Sequence, residues 1–187
     1  MKRIDMTNVQ EAGEFTRLPA GAYECTITDV EDFADREYLK VSYDIATGEF
    51  ANYYGNQRAE HPDWAWVGAY VKSYKTKALP MFKRFCSAVS KSNGSFVFDG
   101  NTINADEKTL IGKKIGLVLR EEEYYSNSGD LRTRLIVHKE FPIDQIDKQR
   151  VPDVKKLEGV TVKYTQPSDP AQTGFMTIPD NVDEVPF

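Results

Sequence analysis

Apolar and polar residues begin to alternate just after Leu18-Pro19-Ala20-Gly21, a turn that delivers the chain into a strand. Tyr23, Cys25 and Ile27 alternate with Glu24, Thr26 and Thr28, the period of two that marks a strand with one buried face. Charged residues from Glu31 to Glu37 read as the connection to a second strand. There Leu39, Val41, Tyr43 and Ile45 point one way and Lys40, Ser42 and Asp44 the other. Gly48 marks a turn, and Phe50 to Tyr54 reads as a short third strand. The period then changes. A helix starts near Thr76 with Pro80 in its first turn, where a missing N–H costs little. Leu79, Phe82, Cys86 and Val89 form its apolar stripe, and Asn93-Gly94 supplies the stop. Two strands follow: Ile115, Leu117 and Leu119, then Leu131, Thr133, Leu135 and Val137 alternating with Arg132, Arg134 and His138. Ser126-Asn127-Ser128-Gly129-Asp130 between them is hairpin-turn chemistry.

Three strands, a helix and a two-stranded hairpin are the plan of an OB-fold. The expected fold is therefore mainly β: a five-stranded Greek-key barrel with one helix between strands 3 and 4. A β-sandwich or an α+β sheet would give a similar string. Residues 1–17 are polar and aperiodic, an N-terminal arm; the barrel is expected over 18–157. From Thr165, Gln-Pro-Ser-Asp-Pro-Ala-Gln-Thr-Gly has too little apolar content to offset chain ordering, so 158–179 reads as a flexible linker before a tail at 180–187.

The chain has 187 residues, 40% hydrophobic and 28% charged, which suits one domain plus appendages. No apolar run approaches the roughly 18–20 residues of a membrane span. Met1-Lys2-Arg3-Ile4-Asp5-Met6 turns polar at once, unlike a signal peptide. Cys25 and Cys86 make no CxxC pair or disulfide framework, so a reducing cytoplasm is the expected compartment.

The net charge of −5 argues at first against a nucleic-acid partner. Its distribution changes that picture. From Trp64 to Phe98 there is no Asp or Glu, while Lys72, Lys75, Lys77, Lys83, Arg84 and Lys91 contribute +6 and leave −11 for the rest. A local positive field attracts phosphates even on an acidic protein, although charge alone is equally a solvated helix face. Aromatic residues strengthen the point. Trp64, Trp66, Tyr70 and Tyr74 are interleaved with Lys72, Lys75 and Lys77. Read as a strand, Trp64, Trp66, Tyr70, Lys72 and Tyr74 share one face; read as a helix, Trp66, Tyr70 and Tyr74 still stack four apart. Bases stack on such rings at about 1–3 kcal/mol each while cations follow the phosphates. Tyr124, Arg132 and Arg134 extend the candidate surface with Lys83 and Arg84. About half of these rings are expected to be core, as aromatic stripes usually are; Tyr53, Tyr54 and Tyr125 are placed there.

The chain ends Asp180-Asn181-Val182-Asp183-Glu184-Val185-Pro186-Phe187. Phe187 suits an apolar pocket, while its carboxylate with Asp183 and Glu184 suits Arg or Lys on a partner; Val185 and Pro186 complete the docking peptide. This end resembles the terminal peptide of bacterial single-stranded-DNA-binding proteins, with Val185 where those carry Ile and with fewer acids. The body also resembles a family of bacteriophage proteins encoded with replication and recombination genes. The resemblance runs through Leu18-Pro19-Ala20-Gly21-Ala22-Tyr23, Tyr38-Leu39-Lys40-Val41, Ser73-Tyr74-Lys75, Ala78-Leu79-Pro80, Phe82-Lys83, Lys91-Ser92-Asn93 and Gly112-Lys113-Lys114-Ile115-Gly116, roughly residues 18–157. It implies a phage single-stranded-DNA-binding protein working in the host cytoplasm.

Other chemistries find less support. His61 and His138 are the only histidines and have no ligand-spaced neighbours, so no metal or other cofactor is expected. Glu121-Glu122-Glu123 is the one hint of a metal-dependent nuclease, yet successive strand residues point to opposite faces. Gly112-Lys113-Lys114 lacks the upstream glycine and the Ser/Thr of a P-loop. The expected function is non-enzymatic binding of single-stranded DNA, with replication or recombination proteins recruited by the tail and no membrane contact. A nuclease and a protein-binding adaptor are the alternatives; oligomeric state stays open.

Overall fold

The computed structural model describes residue 3 and residues 16–101 and 106–157. Seven elements carry the fold: β1 (Gly21–Phe33), β2 (Tyr38–Ile45), α1 (Tyr53–Glu60), β3 (Ala69–Ser73), α2 (Leu79–Ser92), β4 (Lys114–Tyr125) and β5 (Leu131–Phe141). The strands make one open antiparallel sheet in the order β3-β2-β1-β4-β5. Among the described residues no helix is long and apolar enough to cross a membrane.

β1 is long because it serves two partners. Gly21–Thr26 pair with β4, while Cys25–Phe33 pair with β2. A register shift between Ile27 and Asp29 moves its phase, so that Val30 joins Cys25 and Ile27 inside. The charged stretch 31–37 is less of a connection than its composition suggests. Strand pairing continues to Phe33, and only the turn Ala34–Arg36 with left-handed Glu37 (φ 56°) joins β1 to β2. Phe33 stacks on Tyr38 at 4.8 Å and Lys40 pairs with Glu31, so these outward residues form a ladder. In β2, Leu39, Val41, Tyr43 and Ile45 are buried as their alternation predicts.

Residues 50–54 do not form a strand. They turn and enter α1, and the cause lies in β2. Asp44, only 6% exposed, accepts N–H bonds from Ile45, Tyr54 and Gly55 at 2.8–3.0 Å. A buried carboxylate on a neighbouring strand thus satisfies the first-turn donors that an N-cap side chain usually takes. Tyr54 is buried against Tyr43, with ring centroids 5.6 Å apart, and Tyr53 Oη accepts from the N–H of Leu18.

α2 starts at Leu79 after a 3-10 turn, has Pro80 in its first turn and ends at Asn93-Gly94, with Gly94 at φ +61°. Its buried face is Phe85, Cys86, Ala88 and Val89, with Phe82 half-buried; Leu79, assigned to the stripe by spacing, is 47% exposed. Phe85 and Ala88 widen the stripe beside Cys86 and Val89, whereas Leu79 is the first residue of α2 and lies beyond that buried face.

β4 is buried continuously from Ile115 to Leu119. Ile115, Leu117 and Leu119 enter the core, and on the other face Phe141 lies so close over Gly116 that any side chain there would collide. The hairpin to β5 turns through Ser126–Asp130 with Gly129 at φ +84°.

The edge strands β3 and β5 share no backbone ladder, so the sheet is open where a closed barrel was expected. Their side chains nevertheless meet: Lys72 Nζ lies 2.6 Å from Glu140 Oε1, at 7% and 4% side-chain exposure. A second register shift, between Val118 and Leu119, puts Glu140 opposite the core residue Leu117. Arg84 of α2 approaches the other oxygen of Glu140 at 3.5 Å.

Candidate nucleic-acid interface

Trp64 and Trp66 sit in the loop between α1 and β3, not on a strand. α1 ends where the His61 N–H bonds Gln57, and the Trp64 N–H then bonds the His61 carbonyl at 3.0 Å. That turn lays the Trp64 indole on the His61 imidazole, centroids 4.0 Å apart and 15° from parallel. Trp64 remains 50% exposed. Trp66 turns inward, donating from Nε1 to Gly68 O at 2.9 Å and packing on Tyr54. Gly68 is held against the Tyr43 carbonyl and the Tyr54 ring, where no Cβ fits.

The single face proposed for Trp64, Trp66, Tyr70, Lys72 and Tyr74 therefore does not form. Tyr70 packs edge-on against Tyr43 at 5.9 Å, and its hydroxyl is buried with no hydrogen-bond partner. Burial first, then the Glu140 charge, pushes that phenol well above its ordinary value. Lys72 is consumed by Glu140. Tyr74 Oη donates to Asp32 Oδ1 at 2.8 Å, and desolvation, that bond and the charges of Asp32, Glu37 and Glu107 push it up to about 12. Its surroundings are acidic, the opposite of a phosphate groove.

Cations on and before α2 behave otherwise. Lys75, Lys77, Lys83 and Lys91 are exposed, and none enters an ion pair among the described residues. Near the tip of the hairpin the arginines are paired. Arg132 meets Asp130 at 3.2 Å; Arg134 meets Glu122 at 3.1 Å, and Lys155 meets the same carboxylate at 2.7 Å. The Lys155 hydrogen bond outweighs the opposing effect of burial and, with the Arg134 hydrogen bond and both positive charges, holds Glu122 below its usual range. Arg134 also covers the Tyr124 ring at 5.3 Å from its centroid. Tyr53 and Tyr54 pack as expected, whereas Tyr125, assigned to core or edge packing, is 41% exposed.

Glu121 and Glu123 are likewise engaged, by Arg17 at 3.7 Å and by the Leu157 N–H at 3.2 Å. Among the described residues no three His, Cys, Asp or Glu side chains cluster as metal ligands would. Both cysteines are buried; desolvation pushes the Cys86 thiol up to about 11 and the Cys25 thiol higher. Asp183, Glu184, Val185, Pro186 and Phe187 lie outside the described residues, as do the linker and most of the N-terminal arm.

His61 has no ligand-spaced neighbours, yet His-Pro-Asp-Trp is a short turn that folds its ring back on Trp64. No protein-family model matches this chain, and no curated protein matches it either.

Proposed function

We propose that this protein binds single-stranded DNA without acting on it chemically, its five strands curling into an OB-like barrel. The observation that carries the reading is Trp64, a half-exposed indole held flat by His61 in the loop that leads into the acid-free, lysine-rich stretch. A base can stack on the open side of such a ring while ammonium groups attract the backbone. The Lys72–Glu140 bridge supports the barrel, since it draws the two sheet edges together around one core. The resemblance to phage replication and recombination proteins supports the same function. On this reading residues 180–187 recruit replication or recombination proteins in the host cytoplasm, with 158–179 as their tether. Engagement of Glu121, Glu122 and Glu123 by cations and a backbone donor weighs against a nuclease.

Tryptophan fluorescence titrated with oligo-dT and with a duplex of equal length tests the proposal. Quenching by oligo-dT alone, abolished in Trp64→Phe, is the expected result. An equal response to duplex, or no response to either, overturns it. Labelled DNA incubated with Mg²⁺ or Mn²⁺ is expected to stay intact; cutting that disappears in Glu121→Ala would restore the nuclease reading.

A further inference from the structure

β3 is an edge strand without the usual guards. Edges of native sheets carry charged side chains, prolines or bulges that keep other chains from pairing with them. β3 pairs with β2 in an unbroken register and contains no proline. Its one charged side chain, Lys72, is drawn inside to Glu140. By the alternation of a strand, uncharged Ala69, Val71 and Ser73 take the outer face, and Val71 is 56% exposed. Hydrogen bonds fix which main-chain groups of β3 are free. The Tyr74 N–H bonds Glu37 O at 2.9 Å and the Tyr43 N–H bonds Gly68 O at 2.7 Å, so the even-numbered residues face β2. Ala69, Val71 and Ser73 therefore aim their N–H and C=O groups away from β2. The Ala69 N–H turns back to Val67 O at 2.8 Å. The N–H groups of Val71 and Ser73 and the carbonyls of Ala69 and Val71 have no partner among the described residues. β5 supplies none, since it shares no ladder with β3 and the Lys72–Glu140 bridge lies on the core side.

We propose that two copies of this chain associate edge to edge through β3, about a twofold axis at Val71. The free groups are self-complementary under that axis. Two antiparallel β3 strands put each Val71 N–H on the partner's Val71 carbonyl and each Ser73 N–H on the partner's Ala69 carbonyl. Every free outward N–H of both copies is then satisfied. The outward N–H already spent, that of Ala69, falls where the partner's Ser73 carbonyl is left to water. The two Val71 side chains pack together on the outer face. Charge agrees with the pairing. The chain leaving β3 with Lys75 and Lys77 runs beside the partner's chain entering β3 from the loop with Glu60 and Asp63. All four side chains are exposed and enter no ion pair among the described residues. Main-chain bonds of this kind are how an extended strand adds to an open sheet, and single-strand binding is not required for them.

Sedimentation of the full chain from about 10 µM to about 1 mM tests the association, since so small a contact is a weak one. A dimer that grows with concentration is expected. Val71→Pro deletes an N–H that β2 does not use, and proline is accepted at such edge positions, so this variant should stay folded and monomeric. Val71→Lys sets like charges against each other on the axis and should also be monomeric, which keeps the test decisive if the proline variant unfolds. Val71→Cys should cross-link into a dimer on mild oxidation. Directly opposed Cα atoms stand about 5.5 Å apart, within reach of a disulfide, and the native Cys25 and Cys86 are buried. Lys40→Cys, exposed beside Val71 but one strand farther from the axis, should not cross-link. A wild type that stays monomeric throughout, a dimer that survives in both Val71→Pro and Val71→Lys, or equal cross-linking at 71 and 40 overturns the pairing. So does slow amide exchange of Val71 and Ser73 in the dilute monomer, which would mean that β5 closes the edge within one copy.

Discussion

Residues 64–84 and the β4–β5 hairpin look alike as strings of rings and cations, and the fold treats them oppositely. The hairpin contains its own acids, so Arg132 and Arg134 are matched within it by Asp130 and Glu122. The earlier stretch contains none, so each of its cations either finds an acid on a distant element or stays unpaired. Lys72 finds Glu140, whereas Lys75, Lys77 and Lys83 find no partner among the described residues. Local absence of carboxylate, more than the number of lysines, decides where uncompensated charge is left for a polyanion.

The sharpest break of this contrast is at its buried member. Lys72→Met leaves Glu140 with only the more distant Arg84, and a broken buried pair costs about 3–5 kcal/mol, to be read by urea unfolding. Lys72→Met combined with Glu140→Leu should recover most of that loss, because replacing both partners removes the desolvation cost as well. Equal losses in the single and double variants would mean that the pair does not join the sheet edges.

Next in size is Asp44→Ala, which strips three N–H donors of their acceptor and should cost about 2–3 kcal/mol. Because α1 leads straight into the Trp64 turn, the variant should also weaken oligo-dT quenching. Asp44→Asn, which keeps one carbonyl acceptor, should fall between. Smaller again is Trp64→Ala: about 1–2 kcal/mol of oligo-dT affinity with an unchanged unfolding midpoint, since the ring is half-exposed and, among the described residues, stacks on His61 alone. A shifted midpoint would assign Trp64 to packing.

These sites were unequally legible in the sequence. β2, α2 and the last hairpin could be read because each buries one face against its neighbours, which imposes a period on the residues themselves. α1 could not, since the carboxylate that starts it belongs to β2, and aromatic Tyr53-Tyr54 suits a strand equally well. Lys72 read as a phosphate-binding cation because its partner stands in the last strand, displaced inward by a bulge that no local pattern announces. The sequence carried the rings and the acid-free stretch in plain view, and it was tertiary packing and pairing that sorted the exposed indole from the buried rings and spent charge from available charge.

That sorting makes the smallest prediction the most discriminating. Lys77→Gln and Lys83→Gln remove cations that no described acid balances, so each should lower the salt slope of oligo-dT binding by about 0.7 if it meets a phosphate. Arg134→Gln should change the slope by much less, because its charge is already spent on Glu122. Glu122→Gln should act in the opposite direction, releasing Arg134 and Lys155 together and steepening the slope. Acid gives the same release without mutation. Glu122 titrates below its usual range in the folded chain, so its pairing stabilises the hairpin at neutral pH and is lost as pH falls through that lowered value. Oligo-dT affinity of the wild type should therefore rise on acidification further than that of Glu122→Gln, which has nothing left to release. Equal slopes for Arg134→Gln and Lys83→Gln would show instead that the hairpin arginines exchange Glu122 for phosphate at no cost, and the contrast between the two regions would disappear on binding.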